Sequence, residues 1–532
     1  MRITVTESFR RSMHRLHTWF GVAVASVLFA IFWMGTLTVF DAEIDQWMKP
    51  ELRFDRSGEA LSLDDLVRPH LSKIEEAQSV NISPANWRKP TLDIGYSENG
   101  AYQQIHINPA DGSIIQPTDT QGATGFFFGF HFYLHLGWKN IGYYIVGIAS
   151  MAMLGLTVSG IFIHRKIIAD FFTFRPRKAL RRSTLDLHNL TGVVALPFYI
   201  IMPMSGLLII ASIYLPWSLD LPHAASDSAE ASGHVSIERT GEPTPELVSL
   251  DTLVQQAEAE WSARTGQVEN ADFIRIKNFQ DKTAYLEVRQ VFPSRRIEMD
   301  RFISTFRLSD GARLKSFESP PAQSTVNWLS GFHFVQFEHW PLRWLYFLGG
   351  LCGCTMIGSG LLFWIRARVR KDEEATGPVA FVRVLTIGST TGLIAATTAF
   401  MLTNRLIPAA WSSPALSRSD AEVVAFLAVW ALAFVHSATR GGRAWSEQSL
   451  FIGLTGLTCV LANWLTTGDH IVKASLNSLW SLAGTDAVLI AGAVVGFACF
   501  RELRPTVYTE AASGEKLSSE RFTLRTQTKA ER

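Results

Sequence analysis

The sequence predicts a polytopic α-helical membrane protein of about eight transmembrane helices, internally duplicated, with two α+β domains outside the membrane. Three observations lead there. Of the 532 residues 47% are apolar and the mean hydropathy is positive, too hydrophobic for an ordinary soluble enzyme. The apolar residues gather in runs of roughly 20, enough to cross about 30 Å of hydrocarbon at about 1.5 Å per helical residue. Short matches also recur in the same order in residues 1–165 and 180–366.

The runs lie near 18–40, 141–163, 189–214, 342–364, 381–402, 421–438, 448–466 and 484–500. They divide the chain into an N-terminal segment with the first span (1–40), a polar domain (41–125), a second span (126–165), a loop (166–187), a third span (188–215), a second polar domain (216–326), a fourth span (327–366), a loop (367–380), a block of four spans (381–500) and a tail (501–532). A net charge of +1 offers nothing to a polyanion, so no nucleic-acid partner is expected; the lipid bilayer is.

Basic residues beside spans tend to stay cytoplasmic. Arg10, Arg11 and Arg15 precede the first span; Arg165, Lys166, Arg175, Arg177, Lys178, Arg181 and Arg182 crowd one loop; Arg366, Arg368, Arg370 and Lys371 crowd another. Arg440 with Arg443, and Arg501 with Arg504, continue the alternation. Both termini are therefore expected in the cytoplasm of a bacterium and both polar domains in the periplasm, with the chain in the inner membrane. The first run is too long for a cleaved signal sequence and has no small-x-small site before Asp41, so it reads as a retained anchor. Cys352, Cys354, Cys459 and Cys499 all fall inside spans and read as packing residues.

The repeat pairs Leu16-His17-Thr18-Trp19-Phe20-Gly21-Val22 with Leu187-His188-Asn189-Leu190-Thr191-Gly192-Val193, and a glycine, Gly35 or Gly206, follows each histidine by eighteen positions, on the same helical face. Leu61 to Val67 is echoed by Val248 to Val254, each a Ser-capped helix start. Strand, Asp-Gly turn, strand follows at Asp111-Gly112 and at Asp310-Gly311. Gly129-Phe130-His131-Phe132 then matches Gly331-Phe332-His333-Phe334, and both units close on Ser-Gly, at Ser159-Gly160 and Ser359-Gly360. Units with the same orientation are related by a pseudo-two-fold axis along the membrane normal, which puts equivalent residues at equal depth.

Ionisable residues inside a membrane are costly and point to function. The duplication sorts the histidines: His17 and His188 open the first helix of each unit, His131 and His333 precede the second, and each pair can face itself across the axis. Two facing imidazoles are a natural way to hold a b-type haem between apolar helices, and two layers imply two haems. The haem iron is the metal these histidines would bind. Phe126, Phe127, Phe128, Phe130, Phe132, Tyr133 and Trp138 in one unit, and Trp328, Phe332, Phe334, Phe337, Trp340 and Trp344 in the other, surround the outer pair with aromatics. His135, His339, His14 and His164 lie near a layer without a matching partner and are weaker alternatives. His70, His106, His223, His234, His436 and His470 are set apart from the chemistry. From His17 to Phe40 at the far end of its helix is about 35 Å, long for direct transfer, so either the outer histidines dip into the membrane through a break near Gly137 or Pro341, or an intermediate site exists.

These residues resemble the PepSY-associated transmembrane family, which includes iron-regulated inner-membrane proteins and ferric siderophore reductases. The resemblance covers about residues 10–370 and rests on the Leu-His-x-x-x-Gly openings at His17 and His188, the Phe-His segments at His131 and His333, the Ser-Gly helix ends, and PepSY-like strands ending in Ala110-Asp111-Gly112 and Ser309-Asp310-Gly311. It implies two PepSY-like periplasmic domains, haem b held by His17, His188, His131 and His333, and reduction of a ferric siderophore or other ferric chelate to release Fe(II). The last four spans go beyond the family's compact pattern and leave a coupling to transport open. No dinucleotide fingerprint follows a strand and the cytoplasmic loops are short, so electrons are expected from a quinol or a separate protein. Two rival readings are a permease for iron or a metal chelate, which would call for polar residues in the nearly uncharged later spans, and a non-catalytic anchor or regulator, which would leave the paired histidines unexplained.

Overall fold

The computed structural model describes residues 6–54, 61–74, 77–163, 175, 180–215, 235–243, 247–293, 295–369, 376–411 and 413–503. The first unit runs α1 (Glu7–Thr38), α2 (Asp41–Met48), α3 (Leu63–Leu71), β1 (Ser79–Ser83), β2 (Leu92–Glu98), β3 (Ala101–Ile107), β4 (Ile114–Ile115), α4 (Gly122–Tyr133) and α5 (Ile141–Ile163). The second repeats the order as α6 (Leu180–Val194), α7 (Leu196–Ile209), α8 (Leu250–Thr265), β5 (Phe273–Lys277), β6 (Tyr285–Arg289), β7 (Phe302–Arg307), β8 (Arg313–Glu318), α9 (Pro321–Phe334) and α10 (Trp340–Arg366). The C-terminal block follows as α11 (Gly377–Ser389), α12 (Thr391–Leu406), α13 (Arg418–Arg440), α14 (Ala444–Thr467) and α15 (Trp480–Leu503).

Six stretches among the described residues are long and apolar enough to cross a membrane: Glu7–Thr38, Trp138–Ile163, Trp340–Arg366, Gly377–Leu406, Arg418–Thr467 and Trp480–Leu503. A seventh is added if Arg181–Val194 and Leu196–Ile209, bent by 64°, cross as one. The bend has a cause: Pro197 has no N–H to give the preceding turn, so the helix breaks at Ala195. The segments 126–165 and 327–366, each read from sequence as one span, are each two helices. α4 ends at Leu134 and α9 at Val335, both in the left-handed conformation that stops a helix. Within the bundle α1 packs on α5 and α10, and α10 also on α6. Small residues allow the approach: a Cβ added at Gly353 would lie 2.4 Å from the Phe32 ring, and one at Gly350 2.2 Å from Thr36 Oγ1.

The two polar regions do not form separate domains. Their strands make one eight-stranded sheet in the order β4-β3-β2-β1-β5-β6-β7-β8, each half an antiparallel meander, joined where β1 pairs β5. Val80 lies opposite Ile276 and Ile82 opposite Ile274, a register that maps onto itself when the units are exchanged. Pairing the two would-be edges leaves neither exposed. α3 and α8 cover one sheet in a common core, Leu66, Val67 and Leu71 with Leu253, Ala257 and Trp261 over Val80, Ile94, Ile276 and Phe302. Both Asp-Gly turns form: Gly112 and Gly311 each sit at φ 72°, and Asp111 and Asp310 accept hydrogen bonds from Ser113 and Ala312.

Ser62 and Ser249 cap α3 and α8 as expected, accepting from the amides of Asp65 and Thr252. The aspartates two residues on cap the opposite helix. Asp251 accepts from the Leu63 and Asp64 amides at 2.9 and 2.8 Å, and Asp64 accepts from Leu250 and Asp251 at 3.1 and 3.3 Å and from Ser249 Oγ at 2.6 Å. Partial burial works against the Asp64 carboxylate, but Ser249, Arg68 and the two amides outweigh it and hold the group down at about 2.

Replacing Asp64 with alanine is expected to cost about 1 to 2 kcal/mol and to lower hydrogen-exchange protection at Leu250 and Asp251, on the other helix, more than at its own. Because the folded-state value lies below that of an unfolded Asp, about 3.9, the contribution is complete above that pH and is lost as pH falls toward 2. A protection factor at Leu250, referred to the intrinsic exchange rate at each pH, that does not fall between pH 5 and pH 2.5 would contradict this.

Candidate functional site

The four histidines singled out by the duplication meet as two pairs. The His17 and His188 ring centres are 6.2 Å apart with planes at 82°, and those of His131 and His333 are 6.0 Å apart at 31°. Members of a pair are 171 and 202 residues apart in the chain, and the pseudo-two-fold brings each to its own equivalent.

Each ring is seated in the same way. His17 Nδ1 lies 3.0 Å from the Leu156 carbonyl and 3.1 Å from Ser159 Oγ, and His188 Nδ1 lies 2.8 Å from the Met356 carbonyl, the repeat equivalent of Leu156. His131 Nδ1 lies 2.9 Å from the Ile31 carbonyl; His333 bonds the equivalent Met202 backbone and lies 3.0 Å from Ser205 Oγ. A carbonyl only accepts, so Nδ1 carries the proton in His17, His188 and His131, and the lone pair of each neutral ring resides on Nε2. A glycine lies under every ring. Added Cβ atoms would come within 2.6 Å of His131 at Gly35, 2.9 Å of His333 at Gly206, 3.4 Å of His17 at Gly160 and 2.9 Å of His188 at Gly360. The glycines that sequence placed on the histidine's own helical face therefore serve the other layer's ring.

α4 and α9 solve the depth problem. His131 contacts α1 at Ile31 and Gly35, fourteen to eighteen residues beyond His17, so the layers are separated by about 21 to 27 Å along α1, not by the full 35 Å to Phe40. The helix carrying His131 is held by α2: Asp45 accepts from the amides of Ala123 and Thr124 at 2.5 and 3.2 Å, at the start of α4. The sheet-side pair lines a cavity of about 390 Å³ with Phe32, Phe128, Phe132, Phe334, Tyr143 and Tyr346, a size typical of small-molecule sites. Phe126, Phe127 and Phe130 turn away from it into the core of the C-terminal block. Trp138, Trp328, Trp340 and Trp344 are exposed.

The weaker histidine candidates do not join either pair. His135 stacks on Phe126 at 4.7 Å with Nε2 2.8 Å from the Phe126 carbonyl, closing the end of α4. His339 is exposed ahead of α10, His14 is exposed and bonds Thr18, and His164 lies outside the described residues, as do His223, His234, Arg165, Lys166, Arg177, Lys178, Arg370, Lys371 and Arg504. His106 pairs with Asp93 and His436 with Glu447, each at 2.8 Å; His70 packs within α3 and His470 caps a short helix.

Sequence reasoning missed two polar clusters. At the sheet-side end of the bundle, Arg88 and Arg343 both bond Glu43, and Arg88 also bonds Asp41. Burial raises the Asp41 carboxyl against one guanidinium, whereas Glu43, with two, ends below its usual range despite burial. The second cluster ties the C-terminal block to the first unit. Trp47 donates to Asp486 at 2.8 Å, Arg53 to Asp469 at 3.1 Å and Asn463 at 3.0 Å, and Thr120 to Glu422 at 2.6 Å. Asp486, Glu422 and Asn463 are fully buried, so the later spans are less purely apolar where they meet the repeat than their composition suggested.

An alanine at Gly35 would drive Cβ into the His131 ring and is expected to cost about 1 to 3 kcal/mol and to disturb the sheet-side pair alone. Alanine at Gly155, where nothing lies within 4 Å, is the control and should be neutral in the same thermal unfolding assay. Equal effects at the two positions would show that the glycine is not there for the histidine.

A family model described as the PepSY-associated TM region matches residues 14–367. An uncharacterized protein of Pseudomonas aeruginosa is 27% identical over 354 residues, covering 61% of this chain and 84% of its own. The match spans both histidine pairs and both repeated units from the second turn of α1 onward and stops before α11; the chain is a multi-pass membrane protein and belongs to the PepSY-associated transmembrane family.

Proposed function

We propose that the protein is an electron-transfer protein of the bacterial inner membrane that holds two b-type haems, one at each histidine pair, and reduces ferric iron carried by a siderophore or another chelate, releasing Fe(II) on the sheet side. The observation that carries the reading is the geometry of the pairs. Two metal–nitrogen bonds of about 2.0 Å plus the distance from each nitrogen to its ring centre span roughly 6 Å, the spacing found in both. Among the described residues no group of three or more His, Cys, Asp or Glu is placed to hold a metal ion. A pair without a third protein ligand would suit a metal that arrives already held by a cofactor, as the iron of haem is. The aromatic walls of the sheet-side cavity suit a flat apolar ring.

Bound haem would supply one-electron exchange between Fe(III) and Fe(II) at two depths in the membrane. The chain's own part is to present Nε2, with Nδ1–H fixed on a carbonyl, which sets the ring orientation and raises its basicity. The glycines let each ring approach a helix closely enough to bond its carbonyl, and the apolar wall would exclude water. A quinol or a separate protein would deliver electrons at the His17 and His188 layer. The sheet side is then the periplasm, the two halves of the shared sheet are PepSY-like and both termini are cytoplasmic. The count of spans is eight: Arg418–Thr467 would run about 75 Å as one helix, but α13 and α14, joined by the turn Gly441–Arg443, are each long enough to cross.

A permease reading draws on the interruption of Gly377–Leu406 at Thr390 and on the buried polar groups beside it. Most of those hydroxyls, Thr386, Ser389, Thr390 and Thr397 among them, bond carbonyls one turn back on their own helix, which favours packing over a solute path.

The purified protein is expected to show a b-type spectrum, oxidised and dithionite-reduced, with close to two haems per chain by pyridine haemochrome. His131→Ala and His333→Ala should each remove the same haem and spare the other, and the reduced protein should be reoxidised by ferric chelate. A colourless protein from haem-replete cells would reject this function in favour of the permease.

A further inference from the structure

The loop between β1 and β2, residues 84–91, leaves the sheet and carries Arg88 to two residues of the cavity wall, Asp41 and Gln336. Its Arg88 guanidinium, 6% exposed, reaches both units at once. Nη2 donates to Asp41 Oδ1 at 2.7 Å and Glu43 Oε2 at 2.9 Å in the first unit, and Nη1 donates to Gln336 Oε1 at 2.5 Å in the second. Asp41 and Gln336 themselves line the cavity. Gln336 follows His333 by three residues across the left-handed Val335, and Asp41 opens α2 three residues after the end of α1, whose Ile31 and Gly35 seat His131. One side chain therefore spans the joints that hold the two sheet-side histidines.

The loop is tied down on both sides of Arg88. Asn86 Oδ1 accepts from the amides of Arg88 and Lys89, both at 2.9 Å, and Gln46 of α2 donates to the Arg88 carbonyl at 2.9 Å. Trp87 beside it meets the Trp340 ring at 6.1 Å and lies under the Arg343 guanidinium, which in turn bonds Glu43 and the Val39 carbonyl. A planar guanidinium can serve three acceptors on two walls in fixed directions, which a lysine ammonium on a flexible stem does not reproduce.

We infer that Arg88 is a positioning residue that latches the two units together over the sheet-side cavity, so that entry to the cavity requires its release from Asp41 and Gln336. The inference concerns the site of the proposed function and needs no assumption about what the cavity holds. It makes the sheet domain, not the bundle alone, the element that governs access.

The test uses the full-length chain with its four cysteines replaced by alanine and one cysteine introduced on the cavity wall, Ser150→Cys, read by its rate of modification with a charged, membrane-impermeant methanethiosulfonate. Arg88→Gln is expected to speed modification about tenfold, the factor that one net hydrogen bond supports. Gln336→Ala, which cuts only the arm to the second unit and leaves both ion pairs, should also speed it, and Arg88→Lys should behave like Gln336→Ala. Asp111→Cys on an exposed turn, the reference, should react at one rate in every background. Unchanged rates at position 150 in both Arg88→Gln and Gln336→Ala would overturn the latch, whether or not the protein binds haem. Loss of a buried ion-pair partner can prevent folding; if Arg88→Gln is not recovered as a monodisperse protein, Gln336→Ala decides alone, faster labelling supporting the latch and unchanged labelling overturning it.

Discussion

A histidine ring seated on a glycine, with Nδ1 bonded to the same helix within a turn of that glycine, is the contact around which the membrane core is built. It occurs four times, and each occurrence fixes the ring's direction and the distance between two helices; at His17, His188 and His131, where the partner is a carbonyl, it also fixes the tautomer. Because the glycine removes the Cβ, the helix that bears the histidine and the helix that receives it approach more closely than side chains ordinarily permit. His17 binds α1 to α5, His188 binds α6 to α10, His131 binds α4 to α1 and His333 binds α9 to α7. The bundle and the candidate site are thus one set of contacts, and the site cannot be loosened without loosening the bundle.

The sheet applies the same symmetry outside the bundle. Its central β1–β5 pair and the crossed Asp64 and Asp251 caps join like to like, so the two halves form one rigid roof. That roof is fastened to the bundle by charge. Two guanidiniums and two carboxylates are buried together at the joint, an arrangement that costs desolvation on all four and is repaid only while every partner stays in place. Such a cluster is better at fixing geometry than at adding stability.

The C-terminal block breaks the symmetry. It packs on the first unit, where Phe126 of α4 stacks on Phe400 at 4.6 Å and meets Phe426 at 4.8 Å, and where Trp33 donates to Thr397. α4 is therefore braced from two sides, by Asp45 at its start and by the block along its length. α9, its counterpart, begins on Pro320 and Pro321 and leans on Glu298 through Ser324. The two histidines of the sheet-side pair consequently sit on helices held by different partners, α9 also through Asn327, which donates to the Asp300 carbonyl at 3.2 Å, although the rings are related by the repeat.

Sequence by itself determined the membrane class, the duplication, the Ser caps and Asp-Gly turns, and which four of the fourteen histidines stand apart. Each of these is written in local spacing or in the comparison of one half with the other. Tertiary structure alone decided that each pair closes to about 6 Å, that of the two routes left open between the layers the chain takes the break, with α4 and α9 as separate helices carrying the rings inward, and that two polar regions share one sheet. Gly137 marked where the apolar run through α4 into α5 could break, but its periodicity does not show that it does, because left-handed Leu134 and His135 are ordinary residues in an unusual conformation. The β1 and β5 edges read alike whether or not they meet. Arg88 reads as one more charged residue in a polar loop, and only the fold brings it 2.7 Å from Asp41 and 2.5 Å from Gln336, residues 47 and 248 positions away. Long-range pairing of this kind depends on where the backbone puts a side chain, and spacing along the chain carries no record of it.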